Sequence, residues 1–153
     1  MKGRMTGFHS YMPQALEEAR AAAARGEVPV GAVVVREGQI IARAGNRMRE
    51  LTDPTAHAEM LAIREACAAL GSERLTGCDL WVSLEPCPAC AGAISAARIS
   101  RLYFAAHDPK SGGVAQGARV FDHAQSHSRP EVYGGISEDE AALILKDFFA
   151  ERR

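Results

Sequence analysis

LWVSLEPCPACAGAISAARISRLYFA, from Leu80 to Ala105, places two apolar strands on either side of a helix. Leu80 to Leu84 is short and apolar. Pro88 suits the start of a helix because its missing N–H has no intrahelical partner to lose. The alanine-rich run to about Ala97 keeps that helix slim enough for close contact with a sheet, and Arg101 to Ala105 returns as a strand. Strand, helix and strand in this order favour parallel neighbours and a right-handed crossover.

Upstream, Ala56 to Leu70 reads as another helix, started with help from Thr55 or Asp53 and ended by Gly71. It too lies between strands, which again favours parallel neighbours and a right-handed crossover. Met60, Ile63, Cys67 and Leu70 form its apolar face. A first helix is expected from Met12 to Arg25, with Ser10 as its cap, Pro13 in its first turn and Gly26 as its stop. PVGAVVV, Pro29 to Val35, and Gln39 to Ala44 make a hairpin around Arg36-Glu37-Gly38. Gly45 to Thr55 reads as a loop, and His107 to Pro130 as a long irregular segment of the kind that usually serves function. Glu131 to Tyr133 is a short fifth strand. Ser137 followed by Glu140 is a capping-box pattern ahead of a last helix, which should dock Leu143, Ile144, Phe148 and Phe149 on the sheet. The expected fold class is α/β, with one five-stranded mixed sheet flanked by helices.

The 153 residues suit a single domain, 1–153, with a core that needs no disulfides. The formal net charge is −1, so overall charge carries no strong nucleic-acid footprint. There is no run of about 18 apolar residues, and no membrane span is expected. The opening MKGRMTGFHS has no apolar h-region, so export is not expected either. Of the four cysteines, Cys87 and Cys90 form a CxxC pair, Cys67 reads as a buried free thiol, and Cys78 sits in a turn before a strand. A disulfide framework does not suit a non-secreted chain of this size.

The chemistry lies in PTAHAE, Pro54 to Glu59, and EPCPAC, Glu85 to Cys90. His57, Cys87 and Cys90 supply three zinc ligands at the starts of two helices and leave a fourth position open. Zinc brings the pKa of water near neutrality, and an adjacent carboxylate can then move its proton. Glu59 is that carboxylate, even though an i, i+2 pair in a regular helix faces different ways. Two other readings stay open. A structural zinc site would draw a fourth ligand from Cys67, Cys78, His107, His123 or His127, and a lone CxxC can be redox-active.

His57-Ala58-Glu59 with Pro86-Cys87-Pro88-Ala89-Cys90 matches the H-x-E…P-C-x-x-C signature of zinc deaminases. The chain resembles the cytidine/deoxycytidylate deaminase superfamily and, within it, the bacterial tRNA-specific adenosine deaminases. EVPVGAVVV (Glu27–Val35), AGNR (Ala44–Arg47), DPTAHAEMLAIR (Asp53–Arg64), LEPCPACAGAI (Leu84–Ile94), DPKSGG (Asp108–Gly113) and DFF (Asp147–Phe149) carry the likeness over nearly the whole chain. It implies a three-layer α/β/α cytidine-deaminase-like fold, one Zn2+ per subunit and hydrolytic deamination of the wobble adenosine of an arginine tRNA to inosine. It also implies a cytoplasmic homodimer acting on the anticodon stem-loop. Carried over by residue, His57, Cys87 and Cys90 hold zinc and Glu59 shuttles protons. Asn46 bonds the flipped base, and Val28, Pro29 and Leu84 line its pocket. Asp108 and Lys110 meet flanking nucleotides, while Phe149, Arg152 and Arg153 approach the RNA. Apart from the likeness, Lys110 and Arg129 are candidate phosphate contacts by their charge. Two departures stand out: Ala89 where methionine is frequent, and Ser128 where histidine is common. The alternatives are a deaminase of a free purine such as guanine, or of another small amino-heterocycle, and a non-catalytic zinc or RNA-binding module.

Overall fold

The computed structural model describes residues 8–152, so Arg153 lies outside the described residues. The elements are α1 (Met12–Ala24), β1 (Gly31–Arg36), β2 (Gln39–Gly45), α2 (Met48–Leu51), α3 (Ala58–Leu70), β3 (Cys78–Leu84), α4 (Pro88–Ala97), β4 (Arg101–Ala106), β5 (Glu131–Tyr133) and α5 (Glu138–Ala150). One five-stranded sheet has the order β2-β1-β3-β4-β5. β1 pairs antiparallel with β2 and β3, whereas β3–β4 and β4–β5 are parallel. The mixed sheet is as expected and the strands flanking α4 are parallel neighbours, but those flanking α3 are not neighbours, because β1 lies between β2 and β3.

Strand alternation sorts the core into two layers, because successive side chains leave a strand on opposite faces. Ala32 and Val34 of β1 pack with Ala62, Ala66 and Ile94 of α3 and α4. Val33 and Val35 pack with Met12 and Leu16 of α1 and with Ala141 of α5. The result is a three-layer α/β/α sandwich. Gly31 permits close approach of α1, since a Cβ there would lie 2.0 Å from the Ala15 carbonyl oxygen. On the α1/α5 face, Trp81 stacks on its parallel neighbour Tyr103 with ring centroids 3.9 Å apart, and Tyr103 stacks on Tyr133.

Six local expectations are corrected. The stretch read as a loop from Gly45 to Thr55 contains the short helix α2. The buried Glu27 carboxylate accepts the N–H groups of Arg49 and Glu50 there, supplying a cap from more than twenty residues away. Cys78 opens β3 and is fully buried, while Cys67 is only half-buried. Neither Asp53 nor Thr55 caps α3: His57 is the N-cap residue, and Asp53 instead accepts the N–H and hydroxyl of Thr55.

Ser137 forms no capping box. It sits in the left-handed region at φ 60°, makes no side-chain cap bond, and its supposed partner Glu140 pairs with Arg20 of α1. Ala141 and Phe148 are the buried residues of α5 and Ile144 and Leu145 are half-buried, whereas Leu143 and Phe149 are exposed. At the first helix, Ser10 contributes as expected, accepting the Met12 N–H at 3.2 Å, although Tyr11 is the cap residue.

Candidate metal centre and active site

Both metal-side helices start from an extended residue. His57 (φ −73°, ψ 152°) precedes α3 and Cys87 (φ −72°, ψ 170°) precedes α4; neither side chain makes a capping bond. Their donor atoms are therefore available to a ligand beside two helix N-termini, whose free N–H groups and dipoles favour thiolates. Cys90 lies one turn into α4 and is fully buried.

The His57 Nδ1 atom is 3.4 Å from Cys90 Sγ and 3.7 Å from Cys87 Sγ. Tetrahedral zinc with ordinary Zn–S and Zn–N bonds sets its nitrogen and sulfur ligands about 3.6 Å apart. The donor set fits zinc. Among the described residues these are the three His, Cys, Asp or Glu side chains whose donor atoms gather within 4.8 Å of one another.

The proton affinities agree with such a cluster. Contacts from Cys90 and His57 hold the Cys87 thiol down to about 3. The Cys87 thiolate in turn raises Cys90, aided by burial, and it raises His57 as well. Thiolate and imidazole donors take up a divalent ion by giving up their protons.

None of the residues expected to offer a fourth ligand joins the group. Cys67 and Cys78 belong to the apolar layer under α3. His107 Nδ1 pairs with Glu138 at 3.1 Å, and His123 Nε2 pairs with the Ala118 carbonyl at 2.8 Å. His127 is exposed.

Glu59 enters the same pocket from the first turn of α3 because His57 stands outside the helix, which relaxes the i, i+2 geometry. Its carboxyl is only 4% exposed and is pushed up to about 7, chiefly by burial. A carboxyl poised there can both accept and return a proton near neutral pH. The cavity measures about 180 Å³. Asn46, Val28 and Leu84 line it as expected, joined by Val30 and Met48. Pro29 does not line it; it is buried beside the hairpin entry instead. Asn46 is anchored, since its Oδ1 accepts the Ala58 N–H at 2.8 Å and so ties this wall to the start of α3.

The outer residues are more scattered. Asp108 lines the pocket and shapes its own turn by accepting the N–H groups of Lys110 and Ser111. Lys110 is exposed on that turn. Arg129 is exposed and bonds Asp122 at 2.7 Å. Phe149 stands on α5, 48% exposed, and the Arg152 guanidinium lies 3.5 Å from the centre of the Phe148 ring. None of Lys110, Arg129, Phe149 and Arg152 lines the metal pocket. Ser128, the departure noted above, exchanges three hydrogen bonds with Ser95 and so fastens its loop to α4.

Sequence reasoning missed Glu85 and Ser111. Glu85 is 2% exposed, lines the pocket and accepts N–H groups from the loop carrying Asp108. Burial pushes its carboxyl up, but the bonds from Asp108, Gln116, Ala115 and Val114 outweigh that and hold it below its ordinary value. The available signal was a carboxylate placed at the end of an apolar strand, directly before PCxxC.

With this geometry in hand, the relatives are informative. Residues 5–106 match the cytidine and deoxycytidylate deaminase zinc-binding region. The chain is 58% identical to the tRNA-specific adenosine deaminase of Agrobacterium fabrum over 143 residues, 94% of each chain. A solved structure from studies of A-to-I editing by tRNA:A34 deaminases superposes with a TM-score of 0.87 at 58% identity, covering 88% of this chain and 98% of the other. A guanine deaminase from Nitrosomonas europaea superposes at 0.74 with 27% identity, covering 91% and 82%. The chain belongs to the cytidine and deoxycytidylate deaminase zinc-binding family, in the branch of the bacterial tRNA-specific adenosine deaminases.

Proposed function

We propose that this chain, as one deaminase domain spanning 1–153, converts the wobble adenosine (position 34) of an arginine tRNA to inosine and releases ammonia. One observation carries the chemistry: a buried glutamate shares a pocket with a three-donor zinc site. The RNA substrate is supported by 58% identity to a tRNA-specific adenosine deaminase, against 27% and 35% to guanine deaminases of Nitrosomonas europaea and Bacillus subtilis.

His57, Cys87 and Cys90 would hold the ion, one per subunit. When bound, zinc supplies Lewis acidity that makes water a nucleophile at neutral pH. Glu59 takes the proton from the attacking water and delivers it to the ring nitrogen as oxygen bonds to C6. It then carries the remaining hydroxyl proton at C6 to the exocyclic amine, and the C6–N bond breaks as the C6 carbonyl forms and ammonia leaves. Water is consumed, and no redox partner is needed.

Asn46 offers its amide to the flipped base, with Val28 and Leu84 as apolar walls. Asp108 and Lys110 serve the neighbouring nucleotides, and Arg129, Phe149 and Arg152 the more distant RNA. An anticodon loop suits such a pocket because its unpaired bases cost little to extract. The working unit is a homodimer in the cytoplasm, away from membranes; no helix among the described residues is long and apolar enough to cross one.

The test is product analysis after zinc-loaded protein meets an arginine anticodon stem-loop carrying the wobble adenosine. Inosine at that position, absent with Glu59→Gln, is expected. Zinc-replete protein that leaves the RNA unchanged yet deaminates guanine would move the assignment to a free purine.

A further inference from the structure

Glu85 lies at the end of β3, two residues before Cys87, and commits its whole carboxylate to one loop. Oε1 accepts the Asp108 N–H at 3.0 Å and the Gln116 side-chain amide at 2.8 Å. Oε2 accepts the N–H groups of Val114 at 3.1 Å and Ala115 at 2.8 Å. The loop is also pressed against the same backbone. The Gly113 N–H donates to the Pro86 carbonyl at 2.8 Å. A Cβ on Gly112 would stand 2.6 Å from the Glu85 carboxyl carbon, and one on Gly113 would stand 2.6 Å from the Pro88 nitrogen. Asp108 and Ser111, held by this arrangement, form the pocket wall facing His57, Glu59 and Cys87.

We propose that Glu85 is a positioning residue for substrate: its carboxylate is the template on which residues 108–116 fold, and it thereby sets where Asp108 and Ser111 meet the base and its neighbouring nucleotides. The proposal rests on the deaminase reading above. Two oxygens that each accept two N–H groups call for a carboxylate. A glutamine would turn its NH2 toward one pair of those donors and set N–H against N–H in a partly buried place. Support of this kind behind a site governs geometry without touching the reacting atoms.

The experiment compares zinc-loaded wild type, Glu85→Gln and the milder Gln116→Ala, which removes one of the four donors. Zinc content, amide hydrogen exchange, and kcat and KM on the anticodon stem-loop are measured for each. In Glu85→Gln, protection at Asp108, Val114 and Ala115 should fall and KM should rise roughly 10–100-fold, with zinc stoichiometric and kcat carrying the smaller share of the loss. Gln116→Ala should move both readouts the same way, by less. A zinc-loaded Glu85→Gln with wild-type KM, or with its loss confined to kcat, overturns the proposal. If Glu85→Gln does not fold, Gln116→Ala decides: wild-type protection and KM overturn it. Wild-type protein that makes no inosine instead defeats the tRNA reading. The anchor is then judged by amide protection and by KM for the small base that the wild type accepts, with unchanged values overturning it.

Discussion

The metal centre and the C-terminal helix treat their side chains in opposite ways. At the metal centre, His57, Glu59, Cys87 and Cys90 come from two segments about thirty residues apart; His57, Glu59 and Cys87 line one pocket, and Cys90 joins His57 and Cys87 in the donor cluster. On α5, Phe148 and Phe149 are adjacent, yet one is 6% exposed and the other 48%. The metal residues each sit at or within a turn of a helix start, so once the two starts are brought together few arrangements remain. The residues of α5 lie along a helix whose rotation is chosen by the sheet beneath it. Spacing therefore decides much at the first region and little at the second.

Five substitutions bear on that contrast. Cys87→Ala should remove the largest share of function, with bound zinc falling well below one per chain and turnover falling with it. Full zinc and normal turnover would strike Cys87 from the ligand set. Glu59→Gln should keep its zinc while kcat drops roughly 10²–10⁴-fold, the usual worth of a positioned acid–base group. An active, zinc-replete variant would end the proton-shuttle role.

On α5, Phe148→Ala should cost about 3–5 kcal/mol of stability, as buried aromatic truncations do. Phe149→Ala should stay within about 0.5 kcal/mol, as exposed substitutions do. Equal losses in denaturant melts would erase the distinction between the two rings. The smallest effect belongs to Ser137→Ala, also within about 0.5 kcal/mol; a loss near the ~1 kcal/mol of a working N-cap would restore the capping box that the backbone here denies.

Most strands and helices were readable because their signals are local. The β-branched run after Pro29 alternates across a sheet, and Gly71 ends α3 in the left-handed conformation suited to glycine. The features that escaped have partners far along the chain. α2 depends on Glu27, which reaches forward to the N–H groups of Arg49 and Glu50. The capping box at Ser137 was undone when Glu140 found Arg20. Pro29 shares a motif with Val28, but the pocket is lined by Val28 and Val30 on either side of it and not by Pro29.

The sequence by itself determined the order of the five strands and the four long helices, the mixed sheet, the three zinc donors and the carboxyl beside them. Each depends on residue type at short spacing: a histidine and a glutamate around one helix start, two cysteines and a proline around another. Only the tertiary structure decided which side of α5 is buried, where Arg129 and Arg152 rest, and that Glu85 gathers four N–H donors from one loop. Those outcomes depend on which distant groups meet when buried polar atoms must be satisfied, and no local pattern encodes that choice.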